Sequence, residues 1–291
     1  KEITAMELKE IRRKITSVNN IWKLTSALET LSALKMKKAQ KISLASRPFA
    51  QKVSGLLARI KPILHNQKSV FLRQRKVKKV LVGVLASDRG FCGSFNQNIL
   101  KLAEKEIQAL GSKYIVELFP IGKKAASFLA KKGGKTNICF TGIGDYATLE
   151  EIKPIADFLI DSFKKNKFQK VFLVWTCFLS TFSQKPKITQ LLPFKEENYK
   201  DFLSGEIAPE DYFLIEPSSE LLAEEIIPQL LEYIIYQCIL DSNAAEHSAR
   251  MMAMRNASDN AQKKSGELKL DYNKARQEQI TSEVLEISST K

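Results

Sequence analysis

Apolar positions follow a helical repeat at both ends of the chain. Near the N-terminus they recur at steps of mostly three and four, and near the C-terminus a heptad-like seam runs without a slip. Such spacing places side chains on one face of a helix, and two such faces can pack as an antiparallel coiled coil. The first stripe comprises Ile11, Ile15, Val18, Trp22, Thr25, Leu28, Leu31 and Leu34. The second comprises Leu240, Ala244, His247, Met251, Met254, Ser258, Ala261, Ser265, Leu268, Tyr272 and Ala275.

Few residues interrupt either terminal pattern. Residues 221–291 contain one proline, Pro228, and one glycine, Gly266, while the first sixty contain only Pro48 and Gly55. Turn residues normally break a run of this length, so each end is predicted to form one very long helix. Pro48 is expected to kink or end the straight part of the first helix.

The pattern changes in the middle of the chain. The apolar run Val77–Ala86 is typical of a buried parallel strand, and strand-like and helix-like segments alternate after it. The predicted elements are a helix to about Leu110, strand Tyr114–Phe119, helix Lys123–Lys132, strand Thr136–Phe140, a helix from a Thr148/Glu151 capping box to about Lys165, and strand Val171–Trp175. Residues 184–215 carry weak signals for strands or loops. The fold class is therefore α/β: a coiled coil of N- and C-terminal helices (residues 1–66 and 216–291) joined to an open, Rossmann-like α/β domain (residues 67–215).

Charge is concentrated at one end. Of the formal net charge of +14, residues 1–61 contribute +10, because fourteen Lys and Arg face four Glu (14 − 4). Residues 240–291 are balanced, with eight of each sign. A basic helix suits nucleic acid, anionic lipid or an acidic protein surface, and it is equally compatible with a solvated helix face. A basic coiled-coil module that binds nucleic acid is therefore the alternative function, although base-reading motifs and aromatic stacking clusters are missing.

Motifs for cofactors and catalysis are weak. Gly134-Lys135-Thr136 lacks the first glycine of a phosphate loop and precedes a strand. Gly142-x-Gly144-x-x-Ala147 is better placed for a dinucleotide, but Asp145 would put a negative charge inside the turn. A tight turn is the favoured interpretation, and a nucleotide-dependent oxidoreductase is the third hypothesis. No cofactor and no metal are expected.

The histidine and cysteine side chains receive structural interpretations. His247 lies on the C-terminal seam beside Glu246 and is interpreted as a packed or partner-facing polar residue. Cys92 lies in a glycine-flanked loop and is interpreted as a structural thiol. The four cysteines are far apart without a CxxC pair, which favours reduced thiols in an intracellular protein.

No apolar run is long enough to span a bilayer, and the N-terminus does not resemble a signal peptide.

Three segments together resemble the gamma subunit of the F-type ATP synthase. Residues 11–40 (IRRKITSVNNIWKLTSALETLSALKMKKAQ) resemble the N-terminal helix of that family. Residues 87–96 (SDRGFCGSFN) are similar to its SDRGLCGGFN motif. Residues 246–287 (EHSARMMAMRNASDNAQKKSGELKLDYNKARQEQITSEVLEI) resemble its C-terminal helix almost throughout.

The resemblance implies a noncatalytic rotor subunit with no cofactor of its own. In the family the coiled coil enters a hexamer of alternating alpha and beta subunits, and the α/β domain binds the epsilon subunit and the membrane ring of c subunits. Ion flow turns the ring, and the asymmetric coiled coil drives each beta subunit through its binding states. The implied location is peripheral, on the cytoplasmic face of a bacterial cell membrane, with no binding to nucleic acid.

The resemblance also implies contacts for individual residues. Arg276 and Gln277 match contacts with the beta-subunit catch loop, and Arg250 matches a position near that region. From the sequence alone, an exposed helix-surface ion pair would be preferred for Arg276. Glu29 and Thr30 depart from the family pattern, which has more positive charge and apolar bulk there. The residues implied for the upper bearing are Ile280, Val284 and Ile287, and those implied for the acidic beta-subunit levers are Lys35, Lys37, Lys38 and Lys41.

Overall fold

The structure, a computed structural model, describes residues 5–60, 69–131, 138–195 and 219–289. Its helices and strands, in chain order, are α1 (Ala5–Ile60), β1 (Lys79–Leu85), α2 (Phe95–Gly111), β2 (Ile115–Ile121), α3 (Lys123–Lys131), α4 (Leu149–Lys164), β3 (Lys170–Ser180), β4 (Ser183–Leu192) and α5 (Ser219–Ser289). The two very long terminal helices are thus confirmed. None of the helices in these ranges is long and apolar enough to cross a membrane.

The chain divides into two compact units. Unit 1 combines residues 1–33 with residues 250–291, and unit 2 contains residues 34–249. Helices α1 and α5 each contribute to both units. The three segments with boundaries at 66/67 and 215/216 remain a prediction.

Unit 2 contains a four-stranded mixed sheet with the strand order β2-β1-β3-β4. Strand β1 is parallel to β2 and β3, and β4 is antiparallel to β3. The α/β fold class is therefore confirmed. Strand β4 lies where the sequence signals were weak. Of the predicted strand Thr136–Phe140, Phe140 forms an isolated bridge to Ile121, and residues 136–137 lie outside the described residues.

Both faces of the sheet are buried, which explains the continuous apolar run of β1. Leu81 and Leu85 face a core that also contains residues of α4 and α5, such as Leu159 and Ile234. The alternate residues of β1 pack with Ile99 of α2 and other side chains of the opposite face. Because successive side chains of a strand point to opposite faces, a strand covered by helices on both sides must be apolar at nearly every position.

The predicted capping box at the start of α4 is confirmed. The backbone N–H of Glu151 donates to Thr148 Oγ1 at 3.3 Å, and the backbone N–H of Thr148 donates to Glu151 Oε2 at 3.1 Å. This reciprocal pair satisfies two backbone donors that the first turn of a helix leaves without partners.

The seam of α5 is confirmed in unit 1. Met254, Ser258, Ala261, Ser265 and Ala275 are buried along one face. Within the same unit, Ser265 Oγ donates a hydrogen bond to Oδ1 of Asn19 on α1, at 2.7 Å. The small side chains at the centre of the seam allow the two helices of unit 1 to approach closely.

The predicted stripe on α1 is wrong at Trp22, which is 38% exposed, and again beyond Leu28. Leu31 and Leu34 are 48% and 62% exposed, whereas Ser32 is buried. The stripe advanced by three residues at each step from Thr25, and each such step falls about 60° short of a full helical turn. Three of these steps rotate the side chain to the opposite face. At Pro48, α1 does not end but continues to Ile60, so of the two expected effects the ending of the helix is excluded and the kink stays a prediction.

Candidate functional site

In an open α/β sheet, a dinucleotide binds in a crevice outside the carboxyl ends of the strands. This crevice lies at the point where the strand order reverses. In unit 2 this point lies between β1 and β3, and α5 occupies it. The backbone N–H of Thr176 on β3, beyond the end of β1, donates to Ser242 Oγ at 3.0 Å. Ala245 packs there against Cys92 and Phe95. The helix thus fills the space that a cofactor would need.

The loop after β1 is held by its own side chains. Oδ1 of Asn96 accepts a hydrogen bond from the backbone N–H of Ser87 at 3.1 Å. Nδ2 of the same side chain donates a hydrogen bond to Cys92 Sγ at 3.1 Å. The backbone at Phe91 and Gly93 is left-handed, with φ of 62° and 56°. The Cys92 thiol is 2% exposed. This environment agrees with the interpretation of Cys92 as a structural thiol.

The glycine-containing turn at residues 141–147 is fastened to this loop by Asp88. One carboxylate oxygen of Asp88 accepts the backbone N–H of Gly142 at 3.0 Å, and the other accepts that of Lys123 at 2.8 Å. Gly142 has a φ of +79°, which favours glycine. The motif that resembles a dinucleotide loop therefore forms a tight turn anchored by a protein carboxylate.

Helices α1 and α5 both reach this turn through one carboxylate. Asp145 Oδ1 lies 2.9 Å from Nε2 of His247, and its Oδ2 lies 2.5 Å from Nζ of Lys35. Asn243 donates to the carbonyl of Gly144 at 3.1 Å. We call Lys35, Asp145, Asn243 and His247 the Asp145 clamp; all four belong to unit 2. The clamp joins the sheet domain to both terminal helices.

Electrostatics favour the ionised form of the clamp carboxylate. The hydrogen bond from His247 holds the pKa of Asp145 well below its ordinary value, and the Lys35 ammonium adds to this effect against the opposing effect of partial burial. His247 is 3% exposed and is therefore packed, as predicted. The negative charge that argued against a nucleotide in this turn instead binds side chains of the two long helices.

The predicted lever lysines have unequal environments. Besides the Lys35 contact in the clamp, Lys38 Nζ lies 4.0 Å from the ring centroid of Tyr146, a cation–π distance. Lys37 and Lys41 are exposed. Lys38 is exposed as well, so two of the four lysines contact the 141–147 turn and three present exposed side chains.

A buried polar ladder joins α1 and α5 below the clamp. Ser43 Oγ donates to Asp241 at 2.8 Å, and Gln237 Nε2 donates to Ser43 Oγ at 2.6 Å. Ser46 Oγ donates to Gln237 Oε1 at 2.7 Å, and the Tyr233 hydroxyl donates to the carbonyl of Ser46 at 2.7 Å. Positions rise on α1 as they fall on α5, so the two helices are antiparallel in unit 2.

The remaining predicted contact residues lie on α5 in unit 1. Arg276 and Gln277 are exposed, and Arg250 is buried with 9% of its surface accessible. Ile280, Val284 and Ile287 are 48%, 59% and 74% exposed. Their spacing of four and three places them on one helix face. The last turns of α5 therefore present an apolar stripe beside two polar residues.

Sequence reasoning missed the role of Asp145 as a bridge. A signal was present: the seam of α5 carries His247 at a position that coiled coils usually fill with apolar residues, and Asn243 precedes it by four. Polar groups on a buried face require polar partners. The sequence does not say which distant segment supplies them.

Comparisons with known proteins identify the family. A sequence model described as ATP synthase matches residues 7–290. The ATP synthase gamma chain of Flavobacterium johnsoniae is 39% identical over 282 residues, which is 96% of each chain. That of Cupriavidus pinatubonensis is 36% identical over 282 residues, which is 97% of each chain.

Solved structures show the same fold. A chain of the Euglena gracilis mitochondrial ATP synthase, in a structure of OSCP, F1 and the c-ring, superimposes with a TM-score of 0.64 at 17% identity, covering 99% of this chain and 94% of its own length. A chain of the Tetrahymena thermophila mitochondrial ATP synthase, from its central stalk and c-ring, gives 0.60 at 24% identity and covers 81% of this chain and 99% of its own length. The present chain belongs to the family of ATP synthase gamma chains and has the fold of the central rotor stalk.

Proposed function

We propose that this gamma chain turns inside a hexamer of alternating alpha and beta subunits and catalyses no reaction itself. ATP is made on the beta subunits, and the chain changes which of their conformations is most stable. The single observation that carries this proposal is the match to gamma chains over nearly the whole chain, at 36% and 39% identity in the two relatives described above. The matches give no support to a nucleic-acid-binding module.

Rotation acts on the beta subunits by differential binding. The two helices of unit 1 expose different sets of apolar side chains, so each side of the pair presents a different surface. A surface that binds one beta conformation better than another shifts the population toward it. As the pair turns, each beta subunit meets these surfaces in sequence.

Contacts with the catch loop of a beta subunit are assigned to Arg276 and Gln277. Both side chains are exposed on α5, so their donors and acceptors can reach another chain. The stripe of Ile280, Val284 and Ile287 is assigned to the apolar bearing around the end of the helix. Exposed apolar surface of this kind gains free energy when a sleeve covers it.

The basic residues of α1 are assigned to acidic levers of the beta subunits. Lys37 and Lys41 are exposed and can meet such levers directly. Lys35 and Lys38 contact Asp145 and Tyr146 within this chain. These two lysines add positive potential to the same surface while they hold the 141–147 turn. Arg250, on α5, is assigned to a supporting position near the catch contact.

The α/β domain is proposed to bind the epsilon subunit and the ring of c subunits, on the cytoplasmic face of a bacterial cell membrane. Ion flow would then turn the ring, this domain and the helices together. The Asp145 clamp supports such a role because it ties the sheet domain to both helices in unit 2. A torque applied to the domain needs a joint of this kind to reach the helices.

The test is ATP hydrolysis by a complex assembled with matching alpha and beta subunits. We expect the chain to copurify with a tagged beta subunit and the activity to depend on it. The double variant Arg276→Ala/Gln277→Ala should lower turnover several-fold. The control Gln262→Ala/Lys263→Ala removes two exposed residues of the same helix outside the proposed contact.

The outcomes separate two claims. Full turnover of the Arg276/Gln277 variant would remove the catch contact but leave the rotor assignment. If alpha and beta assemble and hydrolyse ATP equally well when the chain is omitted, the rotor assignment itself is wrong. Equal losses in both double variants would mean that the effect is not specific to the catch position.

A further inference from the structure

The amino-terminal ends of the three parallel strands carry a concentration of basic side chains. Exposed groups at or beside these ends are Arg73, Lys76, Lys78, Lys113 and Lys167, which we call the basic edge. All five lie in unit 2 and come from three separate segments of the chain. None of them has a role in the proposed contacts with beta subunits.

Strand pairing brings the three segments together. The backbone N–H of Ile115, at the start of β2, donates to the carbonyl of Lys78 at 3.0 Å. On the other side of β1, the backbone N–H of Gln169 donates to the carbonyl of Lys79 at 3.0 Å. Gln169 Oε1 also accepts the backbone N–H groups of Lys78 and Lys79. The segments before β1, β2 and β3 therefore meet at one end of the sheet.

The segment before β1 is fixed against the turn that precedes β3. Arg75 donates to the carbonyl of Phe163 and to Oδ1 of Asn166, both at 2.9 Å, and its guanidinium lies 4.7 Å from the ring centroid of Phe163. Partial burial and the charge of Arg73 lower the pKa of Arg75. This structural arginine holds Arg73 and Lys76 on the same side of the molecule as Lys167.

Further cations surround the edge, and the acidic groups that contact them are individually paired. Lys79 Nζ lies 3.4 Å from Glu117 Oε1, and Lys165 Nζ lies 3.4 Å from Asp161 Oδ2. Exposed ion pairs of this kind contribute little to the stability of a protein. The stability of the fold therefore does not explain why so many positive charges lie at this end of the sheet. Ile115 is 60% exposed at the same end of the sheet, which adds an apolar side chain to the cationic surface.

We propose that the basic edge binds the phosphate headgroups of anionic phospholipids at the membrane surface. Clusters of about four to eight Lys and Arg side chains beside a membrane attract anionic lipid electrostatically. Phospholipid is favoured over an acidic protein because the chain belongs to a membrane-bound enzyme and because an exposed isoleucine beside the cations suits a headgroup boundary. The binding supplements the proposed protein contacts and depends on none of them.

The test measures cosedimentation of the full chain with vesicles of phosphatidylcholine alone and with roughly 30% phosphatidylglycerol. We expect binding only to the anionic vesicles, with a steep loss between about 50 and 200 mM salt. Replacing Arg73, Lys76, Lys78, Lys113 and Lys167 with Gln should weaken binding at least tenfold. Replacing the basic-edge lysines with Arg, which keeps the charge, should preserve it.

The matched control removes the same charge from another part of unit 2. Its five exposed residues are Lys101, Lys123, Lys124, Lys131 and Lys153, each changed to Gln. Their loss should change vesicle binding less than threefold. Equal weakening by both sets would overturn the proposal, because the attraction would then follow net charge and not this edge.

Three other results would overturn the proposal as well. The first is that the chain does not bind anionic vesicles at low salt. The second is that it binds polyglutamate through the basic edge but does not bind vesicles. The third is that millimolar inorganic phosphate displaces the chain completely from the vesicles. Circular dichroism must show that the Gln variant is folded; if it is not, Lys113→Gln/Lys167→Gln replaces it, and unchanged vesicle binding by that folded variant would overturn the proposal. ATP hydrolysis by the soluble complex with alpha and beta should be unchanged, which separates this test from that of the rotor function.

Discussion

Nε2 of the buried His247 lies 2.9 Å from Oδ1 of Asp145, which joins the C-terminal helix to a turn 102 residues away in the sequence. The same carboxylate receives Nζ of Lys35 from the N-terminal helix. A single side chain therefore links three segments of unit 2. We expect this link to contribute to stability and to be needed for transmission of torque.

Replacing Asp145 with Asn should destabilise the folded chain by about 1 kcal/mol at neutral pH. Hydrogen bonds to charged groups contribute about 1.5–3 kcal/mol, and the value is reduced here because the Asp145 side chain is 38% exposed. Urea unfolding measures the difference. Asp161→Asn is the control, because its ion pair with Lys165 is mostly exposed. An equal effect of the two changes would contradict a special role for Asp145.

The contribution of Asp145 should depend on pH in one direction. Its pKa is depressed in the folded state, so folding favours the ionised carboxylate. The stabilisation is present above the ordinary value of 3.8 and is lost as the pH falls below it toward the lower pKa of the folded chain. The difference in unfolding free energy between wild type and Asp145→Asn should thus be larger at about pH 6 than at about pH 3. A difference that grows on acidification would show that the linkage is wrong.

Replacing Gln237 with Ala should cost about 2–4 kcal/mol of stability. The side chain is 4% exposed and bonds to Ser43, Ser46 and Asp241. Its removal leaves a cavity and deprives buried polar groups of their partner. Gln229→Ala, at an exposed position of the same helix, should change the unfolding free energy by less than about 0.5 kcal/mol. Similar losses for the two variants would mean that the ladder does not stabilise the helix pair.

Helix boundaries and fold class could be predicted because they depend on local spacing. The seam of α5 alternates steps of four and three, which matches the period of a helix over its whole length, and the prediction held. The stripe of α1 failed at Leu31 and Leu34 because repeated steps of three drift off the helix face. The pattern could not reveal that Ser32 would be the buried residue there.

Long-range polar contacts could not be predicted in the same way. The sequence placed Asp145 in a turn and His247 on a seam, but their separation of 102 residues gave no local signal of a contact. Strand β4 lies in a segment for which the sequence left strands or loops open, because it contains Pro186 and several polar or charged residues and because its edge position requires less apolar burial. What remained hidden was therefore the pairing between elements rather than the elements themselves.

Gly122→Ala should destabilise the α/β domain by more than about 3 kcal/mol. The residue has a φ of +95°, and an added Cβ would lie 1.9 Å from the carbonyl oxygen of Ala86. Both the backbone conformation and the space exclude a side chain. Gly111→Ala is the control, since no atom lies within 4 Å of its added Cβ. Thermal unfolding of the two variants compares them, and a fold that tolerates Gly122→Ala as well as Gly111→Ala would contradict this close approach.

Gly266→Ala should stabilise the helix of unit 1 by about 0.8–1 kcal/mol. Gly266 is exposed inside α5, and no atom lies within 4 Å of a Cβ added there. Alanine therefore meets no obstacle and restricts the unfolded chain. The reverse change at an exposed position of α1, Ala27→Gly, should lower stability by a similar amount. Chemical unfolding followed by far-UV circular dichroism tests both. If Gly266→Ala instead lowers the unfolding free energy, the glycine serves a close approach or a bend in the helix, and the prediction is wrong.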